Sequence, residues 1–257
     1  MPALPAELYF AGIDASTATL AALLDCNDPE LRIPTCPEWT LRQLATHVGR
    51  AHRWANEIVR TRSDDFIEFQ AVPDGRLPDD QAERGRWLTA GATGLIGTLR
   101  EAGDAHVWTF DGMAPAIFWA RRMAHETSMH CADGQIAAGE SVEMVPELAA
   151  DAIDEWFTML SFTGDDDLDA RLATLPLDRT LHVHATDPDL AVGGEWMLTR
   201  AEGGVQVTSG HGKGDAALSG RAGDLLLALL GRVPADHKSV EVFGDRDLAT
   251  AYQSINF

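Results

Sequence analysis

Positive charge is in short supply. The 257 residues carry 20 Lys and Arg against 40 Asp and Glu, a formal net charge of −20. So acidic a surface repels phosphate backbones and anionic lipid, which argues against nucleic-acid and membrane-surface binding. Cysteine is scarce as well. Cys26, Cys36 and Cys131 are odd in number, widely spaced and without a CxxC pair, which leaves no disulfide framework and points to reduced thiols in a reducing compartment. Long apolar runs are missing. The longest, Leu225 to Leu230, falls far short of the ~20 residues of a membrane span. The opening MPALPAELYFAGIDAS has neither the basic start nor the apolar core of a signal peptide, so a cytoplasmic protein is expected. Internal repeats and low-complexity tracts are absent too. What remains is 45% hydrophobic and 23% charged residues, ordinary for a folded protein, at a length that suits one large domain or two modest ones.

The chain changes character near residue 165. Before it, the period is helical. Phe10, Ile13, Leu20, Leu23 and Leu24 mark a helix over residues 6–25, and Pro29, Pro34 and Pro37 follow, which no helix crosses. Thr40 is a candidate N-cap with Gln43 as its capping-box partner. A third helix is expected over about 79–101, a fourth opening at Pro115 and ending at Gly139, and a fifth over about 146–162. After the acidic run 165–167, read as a solvated linker, the pattern alternates. Strands are expected at 180–186, 195–200, 205–209, 216–219 and 239–243, with helices at 222–232 and 245–254. That is a small α+β domain, 165–257, after a helical domain, 1–164.

The chemistry points to the helical half. Glu126 and His130 are four apart, so they project from one helix face, where a carboxylate and an imidazole on adjacent turns can grip a divalent ion. Trp119 and Met123 share that largely apolar face, which turns it inward, and Asp133 stands three residues past His130 as a candidate outer carboxylate. An ordinary acid–His helix pair explains the same spacing. His125 lies about 100° round the helix and cannot join them. The string HExxxH also differs from the HExxH of zinc proteases. A third ligand must come from another helix, which offers His47 and His52. Along the stripe Leu41, Leu44, Val48, Ala51, Ala55 and Val59, His52 sits nearer the middle and His47 at the edge, so periodicity slightly favours His52. His182 and His184 alternate on one strand face, read as an exposed or half-exposed pair. Trp39, Trp54, Trp108 and Trp119 are read as packing anchors. The Gly-rich strings, GHGKG at 210–214 among them, are not followed by a helix suited to phosphate binding.

Three stretches carry a resemblance. PEWTLRQLATHVGRAHRWA (37–55) and RRMAHETSMHCADGQ (121–135) are similar to the two motifs of the mycothiol-dependent maleylpyruvate isomerase family, whose helical part is a DinB-like four-helix bundle. DAALSGRAGDLLLALLGR (215–232) with VEVFGD (240–245) resembles that family's small C-terminal α+β domain. The resemblance implies a divalent metal, zinc first, held by His47, Glu126 and His130, against the preference of periodicity for His52. Three such ligands leave a coordination position open, as catalytic zinc sites do. It further implies mycothiol as the low-molecular-weight thiol and a small electrophile as substrate. The thiolate would isomerise a maleylpyruvate-like cis-enedione acid, or displace a leaving group in S-transfer. Arg232 matches the family's Gly-Arg pattern and is the candidate catalytic cation for an acidic substrate, although an arginine after Gly231 also suits a helix C-terminus. Two other readings stay open: a thiol-independent metal hydrolase, and a non-catalytic small-ligand-binding or regulatory protein.

Overall fold

A computed structural model describes residues 4–161, 166–188, 190, 193–202 and 204–255. The chain divides into two compact units, Pro5–Val142 and a second from Glu143 onward.

The first unit is a four-helix bundle of α1 (Ala6–Cys26), α2 (Leu41–Thr61), α3 (Gln81–Ala102) and α4 (Ile117–Ala138). Helix α1 packs on α3 and α4, and α2 on the same two. Helix α2 starts where a capping box satisfies two orphan amides: Thr40 Oγ1 accepts from the Gln43 amide at 3.4 Å, and Gln43 Oε1 from the Thr40 amide at 2.9 Å. Asp80 caps α3 by accepting from the Ala82 amide at 3.0 Å. The core is aliphatic, with Leu20, Leu24, Ile33, Leu41, Leu44, Val48 and Leu88 fully buried. Gly49 lets α2 approach α3, since a Cβ there would sit 2.1 Å from the Trp87 ring. The Pro-rich loop after α1 is tied back by the Ile33 amide, which donates to Trp39 O at 3.0 Å.

Two features of this unit differ from what the sequence pattern predicts. A short antiparallel hairpin, β1 (His106–Thr109) with β2 (Gly112–Pro115), precedes α4. Pro115 therefore ends a strand instead of opening the helix.

The second unit holds α5 (Pro146–Met159), α6 (Asp166–Leu172) and β3 (Thr180–Ala185), then β4 (Glu195–Ala201), β5 (Gly204–Ser209), β6 (Ala216–Gly220), α7 (Ala222–Leu229), β7 (Val240–Gly244) and α8 (Arg246–Gln253). The sheet order is β5-β4-β3-β6-β7, with β3 and β6 parallel and the other pairs antiparallel. Alternation puts Leu181, Val183, Trp196, Leu198, Ala216 and Leu218 in the core, and Trp196 packs edge-on to Phe157 of α5. Helix α5 also packs on α7. It thus belongs with the sheet, and the division falls at Val142/Glu143, earlier than the expected residue 164. Of the acidic run, Asp165 lies outside the described residues, as does Gly164 before it, and Asp166 opens α6 instead of continuing a linker. Among the described residues, no helix is long and apolar enough to cross a membrane.

Candidate metal centre

Three side chains from two helices meet in the bundle. His47 of α2 puts Nε2 2.8 Å from Glu126 Oε1 of α4, and His130 Nε2 reaches the same oxygen at 3.3 Å. The three donor atoms all lie within 4.8 Å of one another. Nitrogen and oxygen donors bind zinc at about 2.0–2.2 Å, which sets them about 3–4 Å apart around one ion, so the set fits a divalent cation. The side chains of His47, Glu126 and His130 keep 27, 21 and 12% of their surface exposed, so the cluster is reachable from outside.

His130 is fixed from behind. Its Nδ1 lies 2.9 Å from Asp133 Oδ2, and Asp133 is fully buried. The carboxylate accepts a hydrogen bond from Nδ1–H, which turns Nε2 toward Glu126, where it would be free to hold a cation once it gives up its own proton. Asp133 is itself held by Thr35 Oγ1, which donates at 2.6 Å, and by the Cys36 thiol at 3.7 Å. On the other oxygen of Glu126, Arg122 forms a close ion pair one turn back on α4. Burial works to raise the Glu126 carboxyl, but hydrogen bonds from His130 and His47 and the charge of Arg122 outweigh it and hold it well below the usual range. Burial likewise works to lower His130, and its bonds to Asp133, Cys36 and Glu126 override it and raise it well above the usual imidazole value. The two imidazoles thus balance the charge of the Glu126 carboxylate.

Trp39 lies 4.8 Å from the His47 ring and 5.5 Å from that of His130, and Phe69 lies 5.7 Å from His47. These rings wall one side of the cluster. Trp39 is thus part of the site's lining as well as an anchor. Trp54, Trp108 and Trp119 pack on one another with centroids 5.0–6.1 Å apart.

The remaining candidates fall elsewhere. His52 is fully buried, its Nε2 2.8 Å from Thr127 Oγ1, and stays out of the cluster. His125 is buried edge-on to Tyr9. Arg50 donates to Gly75 O at 2.9 Å and lies over Phe69. Arg232 belongs to the second unit, its Nη1 donating to Leu230 O at 2.8 Å. Thr35 and Cys36 leave no local pattern in the sequence, because the Asp133 they hold lies almost a hundred residues away. Trp39, next to the Thr40 cap, carried the one available signal.

Both parts of the chain resemble known proteins. Residues 10–135 match the family model described as the mycothiol maleylpyruvate isomerase N-terminal domain, and residues 147–251 match the corresponding C-terminal domain. Two solved structures of mycothiol-dependent maleylpyruvate isomerase, one a histidine-to-alanine variant, superpose with a TM-score of 0.58. They do so at 15% identity, over 93% of this chain and 93% of theirs, a likeness that shows the fold. No curated protein matches by sequence.

Proposed function

Because this chain belongs to the mycothiol maleylpyruvate isomerase family, we propose that it is a metal-dependent enzyme that uses mycothiol to isomerise a small cis-enedione acid of maleylpyruvate type. The observation that carries the reading is the convergence of His47, Glu126 and His130 on one point, backed by Asp133. Bound there, a divalent ion, zinc being the first choice for two imidazoles and a carboxylate, would favour the thiolate over the thiol near neutral pH; a thiolate that added to an activated double bond, allowed rotation about the resulting single bond and left again would interconvert cis and trans with no net change in atoms.

The chain's own residues prepare that chemistry. Asp133 holds the Nδ1 proton of His130 and presents the opposite nitrogen to the ion. Arg122 occupies the second oxygen of Glu126 and leaves the first for the centre. Trp39 and Phe69 shield the His47 ring from water on one side, which strengthens the electrostatics inside. Arg232 enters the proposal as the partner of a substrate carboxylate, on the strength of its Gly231-Arg232 setting and the match of a guanidinium fork to a carboxylate.

The test is turnover of maleylpyruvate by the full chain with and without mycothiol, before and after treatment with a chelator. Conversion is expected to need both the thiol and the metal. His47→Ala is expected to lower kcat/KM by more than about a hundredfold, the upper range for loss of a mere outer partner. Arg232→Lys is expected to raise KM with the metal content unchanged. Turnover that persists without mycothiol would replace the proposal with a thiol-independent metalloenzyme.

A further inference from the structure

A second convergence of the same kind lies wholly within the α+β unit. His182 and His184 share one face of β3, and Glu195 of β4 stands directly across from His184 in the register. His182 Nε2 lies 3.0 Å from Glu195 Oε2, and His211 Nδ1 reaches the same oxygen at 2.7 Å. The donor atoms of His182, Glu195 and His211 all lie within 4.8 Å of one another. The bundle centre has the same signature: two imidazole nitrogens from different elements aimed at one carboxylate oxygen. The strand pair was expected to be an exposed or half-exposed face. Instead the His182 side chain is 7% exposed, while His184 is at 40%.

The loop that delivers His211 is held against the strands. A Cβ on Gly214 would meet Ala216 O at 2.5 Å and the His182 amide nitrogen at 2.9 Å, so only glycine lets the loop lie this close to β3. Asp215 fastens it further, its Oδ2 accepting from the Thr180 amide at 2.8 Å. The GHGKG string therefore acts as a close-packed strap that carries an imidazole to the sheet, not as a phosphate loop.

We propose that His182, Glu195 and His211 form a second site for a divalent transition-metal ion, with His184 beside it as the neighbouring donor. Two imidazoles and a carboxylate select zinc and its first-row neighbours over calcium and magnesium, which prefer all-oxygen sets. The ion would join β3, β4 and the β5–β6 loop, and so stiffen the part of the sheet that the loop crosses.

The experiment uses the full chain with the bundle centre disabled by His47→Ala and Glu126→Gln, stripped of metal and titrated with Zn²⁺ against a chromogenic chelator. One equivalent is expected to bind. His211→Ala on that background is expected to weaken binding at least tenfold. Its side chain is 79% exposed, so the change leaves the core intact. His237→Ala, a histidine of the same unit outside the cluster, is expected to change nothing. No binding with the bundle disabled, or binding that survives His211→Ala unweakened, overturns the proposal. If the disabled chain does not fold, the comparison is made between wild type and His211→Ala. Loss or at least tenfold weakening of one equivalent upholds the site whatever the bundle binds, and an unchanged titration overturns it.

Discussion

Two histidines five residues apart on α2 have opposite fates. His47 meets Glu126 and keeps part of its surface open, whereas His52 is sealed in the core against Thr127. The Thr127 hydroxyl donates to Met123 O at 2.6 Å. It therefore accepts from His52 Nε2–H, and Nδ1, which has no partner, carries a bare lone pair. Burial, aided by the charge of Arg53, pushes the His52 pKa down to about 3. Unfolded, the ring takes a proton near pH 6.5. The unfolded chain thus binds more protons below that pH, so the stability His52 contributes is full above pH 6.5 and is lost as pH falls toward 3. The loss is roughly 2 kcal/mol by pH 5. Urea unfolding at pH 7 and pH 5 should show it, and His52→Gln should flatten the difference; an equal fall in the variant would assign the effect elsewhere. Asp133→Asn removes the carboxylate that fixes the His130 tautomer. We expect Zn²⁺ affinity of the bundle centre to drop about 10–100-fold, measured by chelator competition, and an unchanged affinity would remove Asp133 from the account. Hydrophobic periodicity slightly favours His52, whereas His47 is the one beside Glu126 and His130, and the difference has a physical reason. The middle of an apolar stripe marks what is most deeply buried, while a group that meets a partner helix and keeps part of its surface open sits at the stripe's edge.

At the scale of elements, α2 shows how closely the bundle is fitted. Gly49 faces the Trp87 ring, and Arg53 lies over that ring at 4.1 Å. Helix propensity alone says that Gly49→Ala stabilises by about 1 kcal/mol. The new methyl would overlap an indole, and overpacking costs about 1–3 kcal/mol, so we expect net destabilisation with α2 displaced from α3. Chemical denaturation measures it, and a variant more stable than wild type would show that Trp87 yields freely. Much of the element pattern was legible: the Thr40 and Gln43 cap, the four bundle helices and the five strands of the sheet all follow local rules. The β1–β2 hairpin was not, because its strands are four residues each and one ends in a proline. Nor was the burial of His182, which depends on partners drawn from β4 and from a loop nearly thirty residues away. Strand alternation placed His182 and His184 on one face correctly, but alternation says nothing of what covers that face.

For the molecule as a whole, the net charge of −20 sets the approach of an acidic substrate. The field repels it, and screening lengths shrink from about 30 Å at 0.01 M salt to about 10 Å at 0.1 M. We expect kcat/KM for maleylpyruvate to rise several-fold over that range, read from initial rates. A fall would mean that local cations such as Arg122 and Arg232, and not the overall charge, govern capture. The two-part architecture was readable because motifs from both parts occur in the family's order, and the family models span both. The place where one part ends was not, since α5 has the same helical period whichever unit it packs on.

We expect His47, Glu126 and His130 together to hold one divalent ion. Metal content per chain, measured by mass spectrometry of the elements on folded samples, tests it most directly. Relative to wild type, His47→Ala, Glu126→Gln and His130→Ala are each predicted to lose one ion, and His52→Gln none. A wild-type chain that gives up no ion in any of the three variants, or that loses one only in His52→Gln, would contradict the account.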